Sequence, residues 1–297
     1  MIVNRQNLKM LFTAFKSAFD KAFEGAVIDH DRLVLEVKST TGVEEYAWLG
    51  STTQFREWVG DRVIQALKQH GYSIKNKSFE NTVGVARDNI EDDQYGVYTP
   101  LMAQLGQDAK EHPAQLVYAL LAGGFTGKCY DGQPFFDTDH PVLNAAGQET
   151  SVSNFAGGSG TAWYLIDDTR HIKPLIYQNR KPYNFVMMDQ EKDENVFMRK
   201  EYLYGVDARL NVGYGLWQLA YASKQELTPA NFNAAYAAMQ GLKGDNGRPL
   251  GIRPKLLVVP PSLRAKALDI VKAERAANGA TNINRDVVDV LSTPWLQ

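Results

Sequence analysis

A long helical segment lies in the middle of the sequence, and it limits the folds that the strand-like regions on either side can form. It covers residues 90–124, IEDDQYGVYTPLMAQLGQDAKEHPAQLVYALLAGG. Pro100 suits a first helical turn, Pro113 predicts a kink or a restart, and the glycine pair at 123–124 predicts the end of the helix. The sequence therefore predicts a long, fairly rigid rod at this place.

An amphipathic helix is predicted at the N-terminus, because apolar residues recur there at helical spacing. Lys9, Lys16 and Asp20 occupy other positions around the same helix. The apolar stripe consists of Leu8, Leu11, Phe12, Phe15, Phe19 and Phe23. The mixed charge of the polar side argues against docking on a membrane surface. The chain's own core and a neighbouring subunit remain as docking partners for the stripe.

The region from residue 30 to residue 86 predicts hairpins and one small helix. Residues 33–38, LVLEVK, and residues 45–49, EYAWL, alternate as strands would and are separated by turn residues. The sequence TQFREWVGDRVIQALKQ, residues 53–69, predicts the helix. Residues 72–85 predict a second hairpin that turns at Asn76-Lys77-Ser78.

In the C-terminal half of the sequence, the predicted strands and the predicted helices occupy different segments. Residues 162–223 are rich in Val, Tyr, Phe and Leu, which favours strands. Residues 227–240 predict a helix with Thr228 as its N-cap, residues 254–260 predict a buried strand, and residues 260–279 predict a second helix. Strands and helices in separate blocks indicate the α+β class.

Composition excludes several classes of protein. The chain of 297 residues carries a formal net charge of −2, which gives no whole-chain reason for binding nucleic acid or a membrane. Its one cysteine cannot form an internal disulfide, so we expect folding in a cytoplasm. No segment approaches the run of about 18 apolar residues that a membrane-spanning helix needs.

The segment CYDGQPFFDTDHP, residues 129–141, concentrates groups capable of chemistry. Cys129 and His140 are the residue types of a nucleophile and its base, and with Asp139 they would form a hydrolase site. Asp137, Asp139 and His140 would be metal ligands, but a second histidine or cysteine at ligand spacing is missing. Aspartate, glycine and proline also build turns. We favour a turn, and we assign no catalytic residue, metal or cofactor.

Four ordered blocks of the sequence resemble the major head subunits of Mu-like phages and prophages, the T head protein family. They are YSIKNKSFENTVGVARDNIEDDQYGVYTP, CYDGQPFFDTDHP, VFMRKEYLYGVDARLNVGYGLWQLA and GIRPKLLVVPPSL. The resemblance runs from the N-terminal helix to about Trp295. It implies the Hong Kong 97-type capsid fold, which belongs to the α+β class.

The resemblance also implies a domain organisation. In that fold, an N-terminal arm and an extended hairpin loop clasp neighbouring subunits, and a spine helix lies in a peripheral domain. The arm would be residues 1–45, the extended loop 46–86, and the peripheral domain 87–223 with its spine helix at 94–124. An axial α/β subdomain at 224–297 would meet its copies around five- and six-fold axes. Because a helix–strand–helix block follows the sheet region, we expect an altered chain order between the two domains.

The function implied by the resemblance is structural and not enzymatic. The chain would be a major capsid protein that self-assembles as pentamers and hexamers of an icosahedral shell. The shell would enclose double-stranded DNA without sequence-specific binding, and scaffolding, protease and portal proteins would take part in assembly. The protein would be part of the virion, after assembly in the host bacterial cytoplasm.

Two alternatives to a major capsid protein stay open at this point. One is a hydrolase centred on Cys129 and His140, and the other is a minor virion or decoration protein of similar architecture. For the capsid interpretation, the candidate subunit contacts are five residues of the N-terminal stripe. They are Leu8, Leu11, Phe12, Phe15 and Phe19.

Overall fold

The computed structural model describes residues 5–49, 71–92, 94–190, 193–276 and 278–297. The α-helices in these ranges are α1 (Arg5–Gly25), α2 (Arg87–Glu91), α3 (Thr99–Ala122), α4 (Glu194–Arg199), α5 (Pro229–Gln240) and α6 (Arg264–Lys272). The strands are β1 (Val34–Lys38), β2 (Val43–Glu45), β3 (Ser73–Lys75), β4 (Lys77–Ala86), β5 (His140–Leu143), β6 (Glu149–Val152), β7 (Phe155–Gly158), β8 (Trp163–Ile166), β9 (Leu175–Met188), β10 (Glu201–Tyr214), β11 (Ala220–Lys224), β12 (Leu256–Val259) and β13 (Asp289–Ser292). None of the helices in the described ranges combines the length and apolar content that crossing a bilayer needs.

Helices α1 and α3 cover one face of a four-stranded sheet. The strand order is β1-β9-β10-β4; β1 runs parallel to β9, and the other neighbours are antiparallel. Tyr202, Tyr204 and Val206 alternate along β10 and share a buried core with side chains of both helices. The helices cross so closely that a Cβ atom on Gly106 would lie 2.3 Å from the carbonyl oxygen of Phe19. This backbone contact explains the glycine inside α3.

A second, five-stranded sheet has the order β13-β12-β8-β11-β7. Helix α5 contacts β11, and α6 contacts β12 and β13. Every residue of β8 and β12 is buried, as expected for central strands that are covered on both faces. A large apolar core links this sheet with the C-terminal half of α3.

The two predicted hairpins between residues 30 and 86 are wrong. Strand β1 pairs with β9, β2 pairs with β3, and β4 pairs with β10 over ten residues. Asn76 is buried and makes no turn, because its side chain donates to Ser39 Oγ at 2.8 Å and accepts from Gln178 Nε2 at 2.8 Å. The chain therefore passes straight from β3 into β4. The helix predicted at residues 53–69 lies outside the described residues.

The helix predictions agree with the structure better than the hairpin predictions do, with three differences. Helix α3 continues through a buried Pro113 without a break. Residues 194–199, predicted as strand, form α4, which ends at Lys200 with a left-handed φ of 51°. Helix α6 ends at Lys272 and not near residue 279, because Asn282 Nδ2 donates to carbonyl oxygens at the end of the helix.

The sheets do not follow the predicted domain limits along the chain. The limit between residues 223 and 224 falls inside β11, and strands on both sides of it share the five-stranded sheet. The segment 46–86 ends in β4, which belongs to the four-stranded sheet. Each sheet is therefore built from segments that are far apart in sequence.

Candidate functional site

The apolar stripe of α1 lies against its own molecule. All but one of the five candidate contact residues are at most 5% exposed, and Phe12 is partly buried. Phe15 meets Tyr204 of β10 edge-on with ring centroids 5.1 Å apart, and Phe19 lies 5.0 Å from Phe185 of β9. We therefore infer that Leu8, Leu11, Phe12, Phe15 and Phe19, predicted as contacts with a neighbouring subunit, pack within their own subunit. The physical reason is that α3 and the four-stranded sheet already supply the apolar surface that the stripe needs.

An exposed apolar surface lies instead where β9 and β10 connect through α4. We call it the hairpin-tip patch, and it consists of Val186, Met188, Phe197 and Met198. Phe197 is 79% exposed and Met198 is 70% exposed. Asn195 Nδ2 donates to the carbonyl oxygens of Met188 and Glu201, which ties α4 to the ends of both strands. Sequence reasoning missed the patch because it assigned all four residues to strands, whereas Phe197 and Met198 lie in α4.

The segment 129–141 is a turn, as predicted. The backbone N–H of Cys129 donates to the carbonyl of Gln133 at 2.8 Å, and that of Gly132 donates to the carbonyl of Cys129 at 3.1 Å. Gly132 has a φ of 87°, a conformation that favours glycine. After this turn the chain returns at His140, the first residue of β5.

The turn brings together three polar side chains. Cys129 Sγ donates to Asp131 Oδ1 at 3.0 Å, and His140 Nδ1 lies 2.8 Å from Asp131 Oδ2. Cys129 and His140 are buried, and the imidazole stacks on Trp217 with ring centroids 3.9 Å apart. Burial acts to raise the pKa of Asp131, but hydrogen bonds from His140 and Cys129 outweigh it and leave that pKa below its ordinary value. We call these three residues the Cys–Asp–His cluster.

This geometry does not support a nucleophilic cysteine. Burial raises the pKa of the Cys129 thiol far above its ordinary value, and the hydrogen bond to Asp131 raises it further. The carboxylate of Asp131 also stands between the thiol and His140, so the imidazole is not placed to take the thiol proton.

The metal ligand set considered from the sequence is not brought together. Asp137 accepts from the backbone N–H of Thr138 at 2.6 Å, and Asp139 accepts from the hydroxyl of Ser151. Asp131 takes their place beside His140. The signal that would have pointed to Asp131 is its position two residues after Cys129, within one tight turn.

The fold defines the class of the protein. The chain is similar to the subunit in the procapsid of bacteriophage JBD30, with 49% identity and a TM-score of 0.89, over 99% of this chain and 100% of that chain. It is also similar to the subunit of the bacteriophage JBD30 capsid, with 37% identity and a TM-score of 0.79, over 100% of both chains. The molecule is thus a phage capsid protein, with an α+β fold of the Hong Kong 97 type.

The sequence comparisons define the family. The model of the Mu-like prophage major head subunit gpT matches residues 8–296. The Mu-like prophage FluMu major head subunit of Haemophilus influenzae is 43% identical over 286 residues, 94% of this chain and 93% of the relative. The major capsid protein of Escherichia phage Mu is 39% identical over 293 residues, 97% of this chain and 96% of the relative. The chain belongs to the Mu-like major head subunit family.

Membership in this family confirms the predicted fold class, the capsid function and the location in the virion. It also decides between the alternatives, since the family consists of structural head subunits and not of hydrolases.

Proposed function

We propose that copies of this chain assemble as pentamers and hexamers into an icosahedral head that encloses double-stranded DNA. The observation that carries the proposal is the likeness to procapsid and capsid subunits along the whole chain. A net charge of −2 suits a shell that surrounds DNA without binding it strongly.

Scaffolding, protease and portal proteins are the proposed partners during assembly. A further partner is a decoration protein, because one solved relative is the capsid of bacteriophage JBD30 decorated with minor capsid protein trimers. That relative is 37% identical to this chain, with a TM-score of 0.77.

We assign the two sheets to the two domains of the fold. The peripheral domain would contain α1, the four-stranded sheet and α3 as its spine helix. The axial domain would contain the five-stranded sheet with α5 and α6. Residues 46–86 stay the proposed extended loop, with β4 as its return into the peripheral sheet.

The hairpin-tip patch is the proposed contact with a neighbouring subunit. Its side chains project from a strand end and a short helix, whereas Phe185, the neighbour of Val186 on the other face of β9, is buried. Apolar side chains clustered on a surface mark interaction sites more often than single exposed ones do. In a shell, the surface that meets them would belong to another copy of this chain.

Electron microscopy of the purified chain tests the function. We expect rings, sheets or closed shells from the wild type, and a chain that stays monomeric under all assembly conditions would contradict the proposal. We expect the double variant Phe197→Asp with Met198→Asp to stay folded but to lose assembly, because two exposed apolar contacts become charged.

The control is Ile283→Asp, which makes the same kind of change at a residue that is 81% exposed elsewhere. We expect it to assemble like the wild type. Normal shells from the double variant at α4 would rule out the hairpin-tip patch as a subunit contact, while leaving the capsid function itself intact.

A further inference from the structure

The Cys–Asp–His cluster contains three different metal-binding side chains. The thiol sulfur, one carboxylate oxygen and one imidazole nitrogen all lie within 4.8 Å of one another. Thiolate, carboxylate and imidazole are the ligand types that Zn²⁺ binds in proteins. Cys129 and His140 are buried and the side chain of Asp131 is 5% exposed, so the cluster differs from a group of acidic side chains on a surface.

A neighbouring amide fixes how the imidazole of His140 is protonated. Asn154 Nδ2 donates to the carbonyl oxygen of Phe135 at 2.8 Å and to that of Trp217 at 3.3 Å. The amide oxygen therefore faces His140 Nε2, at 3.2 Å, and Nε2 must carry the proton that it donates. The lone pair of a neutral ring would then lie on Nδ1 and face the carboxylate of Asp131. Two electron-rich atoms at 2.8 Å require a cation between them, either a proton or a metal ion.

We propose that Cys129, Asp131 and His140 bind one zinc ion, with a water molecule as the fourth ligand. Zinc bonds of about 2.0–2.3 Å in a tetrahedron place neighbouring donor atoms roughly 3.3–3.6 Å apart. Sγ and Oδ1 lie 3.0 Å apart and Nδ1 and Oδ2 lie 2.8 Å apart, so these pairs have to separate by less than an ångström. Donor atoms that lie up to 4.8 Å apart have to come closer by about an ångström. The water molecule would approach beside Asp131, which is the least buried of the three residues.

Zinc binding leaves the charge of the buried cluster unchanged. Without metal, the thiol is neutral, and one proton lies between Asp131 Oδ2 and His140 Nδ1. Zinc displaces two protons to solvent, one from the thiol of Cys129 and the one between Asp131 and His140, and its two positive charges balance the thiolate and the carboxylate. A buried site accepts either arrangement because neither leaves an unpaired charge.

The surroundings of His140 also match those of a zinc ligand. Metal-bound histidines usually donate their second N–H to an oxygen, which fixes the orientation of the ring. Here Asn154 Oδ1 accepts from Nε2, and the stacked ring of Trp217 holds the plane of the imidazole. The tight turn at residues 129–133 places the other two ligands on one short segment of backbone.

Cobalt titration of the purified, chelator-treated full chain tests this proposal. Co²⁺ replaces Zn²⁺ and gives a near-ultraviolet charge-transfer band when a thiolate binds it. Because Cys129 is the only cysteine in the chain, that band can come from no other residue. We expect the band to saturate at one cobalt per chain and to disappear when zinc is added. A wild type without the band overturns the proposal, even if cobalt binds elsewhere on the protein.

Two variants and a control locate the site. Cys129→Ala and His140→Gln each remove one ligand, and we expect Cys129→Ala to lose the band completely and His140→Gln to need at least ten times more cobalt. Asp139→Asn is the control, since Asp139 is exposed and lies in the same segment but outside the cluster. We expect it to bind cobalt like the wild type. Equal zinc content in Cys129→Ala and wild type, measured by elemental analysis, would also overturn the proposal.

Discussion

Truncation of Phe15 tests whether the α1 stripe stabilises its own molecule or a neighbouring one. The side chain of Phe15 is 0% exposed, and its ring meets that of Tyr204 in β10. Replacing a buried phenylalanine with alanine costs about 3–5 kcal/mol, because apolar contacts are lost and a cavity remains. We expect Phe15→Ala to lower the free energy of unfolding of the isolated subunit by this amount. The corresponding fall in Tm is about 5–8 °C for a chain of this size.

The assay is urea or thermal unfolding of subunits kept at a concentration too low for assembly. Met10→Ala is the matched control, since Met10 lies on the same helix but is 60% exposed. We expect it to change the free energy of unfolding by no more than about 0.5 kcal/mol. If Phe15→Ala unfolds like the wild type and only its assembly fails, the stripe belongs to an intersubunit contact and our reasoning is refuted.

Two further predictions follow from close contacts in the described residues. Alanine favours a helix over glycine by about 1 kcal/mol. We nevertheless expect Gly106→Ala to lower the Tm measured by calorimetry, because the Cβ atom of the alanine would lie 2.3 Å from the Phe19 carbonyl oxygen. A raised Tm would show that α1 does not cross α3 there. The backbone N–H groups of Thr41 and Thr40 donate to the Glu44 carboxylate and, with Ser39, lower its pKa to about 2. Because this folded-state pKa is lower than the ordinary value of 4.5, the carboxylate stabilises the fold above that value and the effect is lost as the pH falls through 2. Glu44→Gln should therefore be less stable than the wild type at neutral pH and equal to it near pH 2, and a difference in unfolding that does not change with pH would contradict this.

Local signals in the sequence were sufficient to predict α1, α3 and α5. Thr228 was predicted as the N-cap of α5, and its hydroxyl does accept from the backbone N–H of Asn231 at 3.2 Å. Pro100 lies in the first turn of α3, and Gly123 follows its last residue. The buried strand at 254–260 was also predicted correctly and forms β12. Each of these features depends on residues a few positions apart, which one sequence displays directly.

Strand pairing could not be predicted, because the partners are distant in sequence. Val34 of β1 pairs with Leu175 of β9, and Lys77 of β4 pairs with Leu210 of β10. Asn76 has the composition of a turn, but its buried hydrogen bond to Gln178 makes it a connection between strands. The preference of asparagine for a turn contributes less free energy than these buried hydrogen bonds do, since an unsatisfied amide in the core would cost about 1–3 kcal/mol. The sequence identified the segment that contains the Cys–Asp–His cluster, but it did not identify Asp131 as the residue beside His140.

An amphipathic pattern predicts that a helix has an apolar face, but it does not identify the surface that covers this face. For α1 that surface is the chain's own core, so substitutions in the stripe should act first on folding. The hairpin-tip patch has the opposite property, because Phe197 and Met198 are mostly exposed and α4 is held through the side chain of Asn195 and not through them. Substitutions of these two residues should therefore act on assembly at nearly constant Tm. If the two sets of variants show the same combination of defects, folding and assembly use one surface in this protein, and the separation argued from burial fails.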